Sequence, residues 1–362
     1  MYYVATAIIA LILNLICTPL ILKLARAKGW YDGTGGRKIH TGSVPRLGGV
    51  GIAWSFAVSL FVSLTFLTVL RNRIATPWLS LALVLGGFLT VHVIGLIDDF
   101  KPLRARFKLG FQVLVALGIL LAGYRFKGFY LPLGIGFVDL GLASYPLTFF
   151  WILGMMNAIN LIDGMDGLSG GISLIVFSAY TFLAFKNNDL TAGAVSAALV
   201  GAVLAFLFYN FPPASIFMGD SGSLFLGTAF ALLPLLLEEP GRIGNGFFPA
   251  VTLSLVPILD TLWAMIRRRR RGVSFMTPDR GHLHHKLLDL GLDVRQALGV
   301  IYGFCLILAG AVLAGAYLSK HKDIAFFIYL CASLLVLIGF FIIRLLCHKR
   351  VDFPIVAKDK PY

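Results

Sequence analysis

The chain of 362 residues is 58% hydrophobic and only 13% charged, with a mean hydropathy of +0.87. These values exclude a string of soluble domains, where about a quarter of residues are charged, and leave one integral membrane domain over 1–362 as the expectation. The net charge of +14 requires no nucleic-acid partner, because short cytoplasmic loops of membrane proteins concentrate Lys and Arg.

At about 17–25 apolar residues per span, the sequence predicts an all-α polytopic protein with about eleven transmembrane helices. They fall near residues 4–25, 48–70, 78–97, 108–124, 145–161, 168–185, 190–209, 222–237, 247–266, 296–318 and 324–346. Residues 1–25 lack the basic start of a cleavable signal and read as the first span. Glycines among apolar residues between 125 and 144 predict a short hairpin or a re-entrant segment. Cys17, Cys305, Cys331 and Cys347 lie in or at the ends of apolar runs without metal-type spacing, and read as packing residues. Alternate connections carry most of the Lys and Arg: those near 26–46, 101–108 and 267–295, and the tail. By the positive-inside rule that side is cytoplasmic, with the N-terminus outside and the C-terminus inside the cell.

The polar motifs open on the same side. A Gly-rich basic stretch, Asp32–Gly49, includes Lys38 and Arg46 and suits a phosphate-binding loop or, equally, a flexible connection. Next comes GLIDDF, in which Asp98 and Asp99 end the third span. Acids there oppose the helix dipole, so compensation by Lys101 and Arg104 is expected, and a helix-end role weighs equally with function. His92, alone within that span, reads as a packing residue. In NAINLIDGMDGL, Asn157, Asn160, Asp163 and Asp166 recur every third residue, which on a straight helix would turn the first and last to opposite faces. Gly164, Gly167, Gly170 and Gly171 predict a break that lets the four converge; a polar helix–helix seam is the alternative. FMGDSGSLFLG sets Asp220 at the start of a helix whose free N–H groups would suit an anion, or which Asp220 or Ser221 would cap. The run Arg267–Arg271 reads first as a membrane anchor, followed by Asp279, Arg280, His282, His284 and His285. These histidines have no Cys or Glu partner set for zinc, and among so many cations they point to phosphate binding or proton handling. Asp260 is expected to pair with the Arg run or to extend the acidic site.

Carboxylates, amides, cations and histidines on one membrane face fit metal-assisted phosphoryl transfer from a soluble nucleotide to a lipid. Mg2+ is the ion oxygen ligands prefer, with Mn2+ as a substitute. GLIDD, NAINLIDGMDGLSGG, FMGDSGSLFLG, PILDTLWAMIRR and PDRGHLHHKLLDLG, in this order, resemble the polyprenyl-phosphate N-acetylhexosamine-1-phosphate transferases, particularly the WecA/TagO branch. The resemblance implies transfer of GlcNAc-1-phosphate from UDP-GlcNAc to undecaprenyl phosphate, with release of UMP, as the first membrane step toward an envelope polysaccharide or teichoic acid. It also implies a bacterial inner-membrane location and a homodimer. By motif, Asp220 with Asp99 would bind the metal, and Asp98 or Asp99 would face the lipid phosphate. Asn157, Asn160, Asp163 and Asp166 would position the nucleotide-sugar, and Phe217 would stack on uracil. Arg280, His282, His284 and His285, with Lys38 and Arg46, would hold phosphates.

Three alternatives stand beside this reading. The related MraY enzymes, which take UDP-MurNAc-pentapeptide, carry three consecutive histidines where this chain has His282-Leu283-His284-His285. A transporter would place coupling residues at mid-membrane in repeated halves, which the sequence lacks. A covalent aspartyl intermediate competes with direct attack by the lipid phosphate; direct attack is favoured because a phosphate monoester is largely a dianion at neutral pH.

Overall fold

The computed structural model describes residues 2–31, 44–71, 78–237, 246–274, 279, 281–318 and 321–351. Thirteen α-helices are described: α1 (Tyr2–Lys28), α2 (Gly48–Arg71), α3 (Trp78–Phe100), α4 (Ala105–Leu121), α5 (Ser144–Ile162), α6 (Leu168–Lys186), α7 (Leu190–Asn210), α8 (Gly219–Leu236), α9 (Phe247–Leu253), α10 (Leu255–Arg270), α11 (Leu283–Asp289), α12 (Val294–Tyr317) and α13 (Lys322–Val351). Apolar runs of this length fold as helices because a bilayer offers the backbone no hydrogen-bond partner other than itself. Among the described residues nine helices are long and apolar enough to cross a membrane, and α9–α10 makes a tenth if taken as one bent span. Each of the eleven expected segments meets a helix or that pair, and α4, at 17 residues, is the one helix so met that is not among the nine. The four cysteines are free thiols.

Two segments refine the sequence expectation. The predicted ninth span is not one straight helix: α9 and α10 meet at 75° across Ser254. Pro257 lacks the N–H that would bond to the Leu253 carbonyl, so the ladder is interrupted where the chain bends. Between α4 and α5, residues 125–144 form the hairpin alternative, with β1 (Gly128–Leu131) antiparallel to β2 (Gly136–Asp139).

The helix α8 is the buried centre, packed against α2, α3, α5 and α6. Its neighbours are protein rather than lipid, so small and hydroxyl residues are tolerated within its apolar run. The α1–α7 seam works by close approach. A Cβ at Gly201 would lie 2.0 Å from the Ala7 carbonyl oxygen, and Asn14 donates across the seam to the Ala202 carbonyl at 2.7 Å. Small residues and interhelical amide bonds take the place of a hydrophobic driving force between membrane helices.

Candidate active site

The last turn of α3 meets the first turn of α8. Asp99 accepts from the backbone N–H of Asp220 at 2.7 Å and of Ser221 at 3.0 Å, one on each carboxylate oxygen. The α8 N–H groups expected to be open for an anion are therefore taken by a side chain of the protein, since a helix start buried against α3 has no water to satisfy it. Gly219 makes the contact feasible. Its φ is +74°, and a Cβ there would lie 2.5 Å from Asp99 Oδ2 and 2.7 Å from the Arg46 carbonyl oxygen. Two turns back along α3, His92 Nδ1 lies 3.3 Å from the Ser221 carbonyl oxygen, in keeping with a packing role.

Asp98 turns the other way. Its Oδ1 accepts from Leu103 N at 2.7 Å and its Oδ2 from Lys108 Nζ at 3.1 Å. The same Nζ donates to Asp220 Oδ2 at 2.8 Å. Compensation of Asp98 thus comes from Lys108 on α4, not from Lys101 or Arg104: the chain reverses at 101–104, and the first turn of α4 returns its cation between Asp98 and Asp220, while Asp99 is met by backbone N–H groups. Asp220 has a second cation in Arg46, whose Nη2 lies 3.6 Å from Oδ1. Arg46 is brought there by a backbone ladder in which Phe217 N donates to Pro45 O, Gly48 N to Phe217 O and Gly49 N to Met218 O. Phe217, half-buried, is held by those two backbone bonds.

The predicted break in NAINLIDGMDGL is present. Helix α5 ends at Ile162, α6 begins at Leu168, and Gly167 turns the chain at φ +77°. The four polar residues leave in different directions. Asn157 pairs with Gln112 of α4, donating to Oε1 at 2.8 Å, and Asn160 donates to Ser223 of α8 at 2.8 Å. Asp163 accepts from Ser169 Oγ at 2.5 Å. Burial pushes the Asp163 carboxyl up to about 7; the Asp220 and Asp99 charges add to this, while Ser169 and Arg46 oppose it. Asp166, 6% exposed, accepts from Ala214 N at 3.0 Å and ties the turn to the segment before α8. Asp163 is therefore the member that senses Asp99 and Asp220 directly, and Asp166 is engaged with backbone.

The histidines form a stack. His282 and His284 lie nearly parallel with centroids 5.9 Å apart, and His285 follows at 4.2 Å from His284. The stack lies against the turn after α5 at Gly164, where a Cβ would come within 3.0 Å of His284 Nε2. His284 is 2% exposed, and neither ring nitrogen has a hydrogen-bond partner among the described residues. Burial, with His285 beside it, pushes its pKa down to about 3, so the ring is neutral. Asp260 pairs with His282, neither joining the Arg run nor extending the carboxylate group, while Arg267 donates to Asp279 at 2.8 Å. Lys38 and Arg280 lie outside the described residues.

Sequence reading missed Lys108 as a partner of the acids, along with Gln112, Ser169, Ser223 and Arg344. Only Lys108 left a signal, as the basic residue that follows a turn after an acidic helix end. Among the described residues no three His, Cys, Asp or Glu side chains close a metal cage. Mg2+ commonly takes only one or two carboxylates, completing its shell with water and substrate phosphate. The Asp98 and Asp220 Oδ2 atoms, already sharing one cation, fit that pattern.

Residues 80–238, from α3 to just past α8, match the family model described as glycosyl transferase family 4. A probable undecaprenyl-phosphate N-acetylglucosaminyl 1-phosphate transferase of Bacillus subtilis is 37% identical, with the alignment covering 86% of this chain and 85% of that protein. A decaprenyl-phosphate N-acetylglucosaminephosphotransferase of Mycolicibacterium smegmatis is 34% identical over 74% of this chain and 70% of its own. An undecaprenyl-phosphate alpha-N-acetylglucosaminyl 1-phosphate transferase of Salmonella typhi is 30% identical over 86% and 83%. The family match takes in Asp98, Asp99, Lys108, Asp163 and Asp220, and the chain belongs to glycosyl transferase family 4, among the polyprenyl-phosphate N-acetylhexosamine-1-phosphate transferases whose motifs it carries.

Proposed function

We propose that the protein transfers GlcNAc-1-phosphate from UDP-GlcNAc to undecaprenyl phosphate in a Mg2+-dependent reaction at the cytoplasmic face of a bacterial inner membrane. The observation that carries this reading is the cation-bridged acidic group at the ends of apolar helices: Lys108 between Asp98 and Asp220, with Asp99 locked onto the start of α8. Such a site would suit a reaction between a water-soluble anion and a lipid headgroup. The names of the relatives agree on a prenyl-phosphate acceptor and an N-acetylglucosamine phosphate donor.

In the reaction an oxygen of the lipid phosphate attacks the phosphorus that bears GlcNAc. The pyrophosphate P–O bond breaks, UMP leaves with the bonding electrons, and a prenyl diphosphate sugar forms. Bound by Asp220 and Asp98, Mg2+ would lower the repulsion between the two anions. Lys108 and Arg46 carry the remaining positive charge to the same place. Asp99 keeps Asp220 and the α8 backbone in register. The unpartnered nitrogens of neutral His284 are available to a phosphate or sugar hydroxyl, since a buried polar ring without a partner is costly to keep. A lipid phosphate dianion needs no strong base, so one displacement suffices.

The test is UMP release by purified protein supplied with undecaprenyl phosphate, Mg2+ and either UDP-GlcNAc or UDP-MurNAc-pentapeptide. Release with the first donor alone is expected. Release only with the pentapeptide donor, or none with either, overturns the reading.

A further inference from the structure

On α10, just beyond the 75° bend, Asp260 is 1% exposed. Its Oδ2 is 2.7 Å from His282 Nδ1, and its Oδ1 accepts from Leu283 N, the first residue of α11, at 2.8 Å. The Arg344 guanidinium of α13 stands 3.8 Å from Oδ1 and also donates to the Gly281 carbonyl at 3.4 Å. One carboxylate thus gathers the histidine loop, the start of α11 and the last long helix.

An N–H donor and a guanidinium directed at Oδ1 both favour the ionised carboxylate, which can only accept. The short contact from Oδ2 then requires a proton on His282 Nδ1. His282 is itself 5% exposed, so its second nitrogen is the one polar atom the ring has left. The parallel His284 ring lies between His282 and the Gly164 turn, so the orientation Asp260 imposes on His282 is passed by packing toward Asp163.

We infer that Asp260 is a positioning residue that fixes the His282 proton on Nδ1 and so presents the Nε2 lone pair as an acceptor to a hydroxyl of the nucleotide-sugar donor. This rests on the transferase reading above. A carboxylate that sets the tautomer and direction of a histidine it does not itself convert to product is a recurring arrangement, and its loss costs about 10–100-fold in activity at comparable metal sites.

The experiment is nitrogen NMR of full-length protein labelled at histidine in lipid nanodiscs, with His282 assigned by its absence in His282→Gln. A protonated Nδ1 is expected in the wild type. In Asp260→Asn the amide oxygen stays with Leu283 N–H and the NH2 donates to Nδ1, so the ring proton moves to Nε2. UMP release by that variant should fall about 10–100-fold in kcat with little change in KM for the lipid acceptor, and Asp260→Glu should recover part of the loss. An unprotonated Nδ1 in the wild type, or a shifted tautomer with unchanged kcat, overturns the inference. If the wild type releases no UMP from UDP-GlcNAc, the transferase reading fails, while the NMR still decides the state of His282.

Discussion

At Lys108 a single ammonium balances two carboxylates that are only 13% and 14% exposed. Replacing it with Met leaves two desolvated acids facing each other, with Arg46 on the far side of one of them. Transfer should fall about 10²–10³-fold, as when one preorganised charge is removed from a transition-state site, and UMP release measures it. In chelator the Lys108→Met protein should melt below the wild type, and added Mg2+ should raise its Tm more than that of the wild type, because a divalent ion can take over the missing compensation. An equal Mg2+ response in both proteins would remove Lys108 from the cation site. Asp163 offers a pH test of the same region. Its carboxyl titrates at about 7 because burial favours the neutral acid. The folded pKa lies above the ordinary one, so its contribution to stability is complete below the usual carboxylate range and fades as pH rises through about 7. In metal-free protein, Asp163→Asn should therefore raise Tm at pH 8, change it little at pH 4, and flatten the fall between them. Thermal melts at the two pH values decide this.

The carboxylates meet because α3 and α8 can touch, and Gly95 sets the contact. A Cβ at Gly95 would lie 2.5 Å from the Asp220 carbonyl oxygen and from Ser221 backbone atoms, whereas a Cβ at Gly86 on the same helix meets nothing within 4 Å. Gly95→Ala must push the helices apart and lengthen the Asp99 bonds to the start of α8, at a cost of about 1–3 kcal/mol for overpacking. Gly86→Ala should gain slightly from helix propensity. Loss of UMP release in the first variant and its retention in the second, with both Tm values recorded, separates the contact from any general effect of Ala in α3. These elements also show what a sequence can carry. The glycine-marked break after Ile162 was legible because glycine's conformational freedom acts on the local chain alone. The Asn160–Ser223 and Asp260–His282 pairs were not, because each partner is set by packing between helices far apart in the chain. The kink at Ser254 lay between: Pro257 is visible in the sequence, but a 75° bend also needs neighbours that fill its outer side.

Over the whole molecule the site draws on the start of α2, the end of α3, the start of α4, the end of α5 and the start of α8. Helices that alternate in direction present these ends together only if they open at one face of the bundle. The expectation of alternation rests on apolar runs of about 17 residues or more and on basic connections that recur on every second turn of the chain. The remaining question is which face looks into the cell, and the β1–β2 hairpin, between α4 and α5, supplies the opposite pole. Leu133 at its tip is 78% exposed, and Arg104, just before α4, is exposed at the other end of that helix. In a background with the four native cysteines replaced by Ser, Leu133→Cys should react with a membrane-impermeant maleimide in intact spheroplasts. Arg104→Cys should react only after the membrane is opened. The reverse pattern would put the acidic group outside, where no nucleotide-sugar is supplied, and the proposed reaction would lose its substrate.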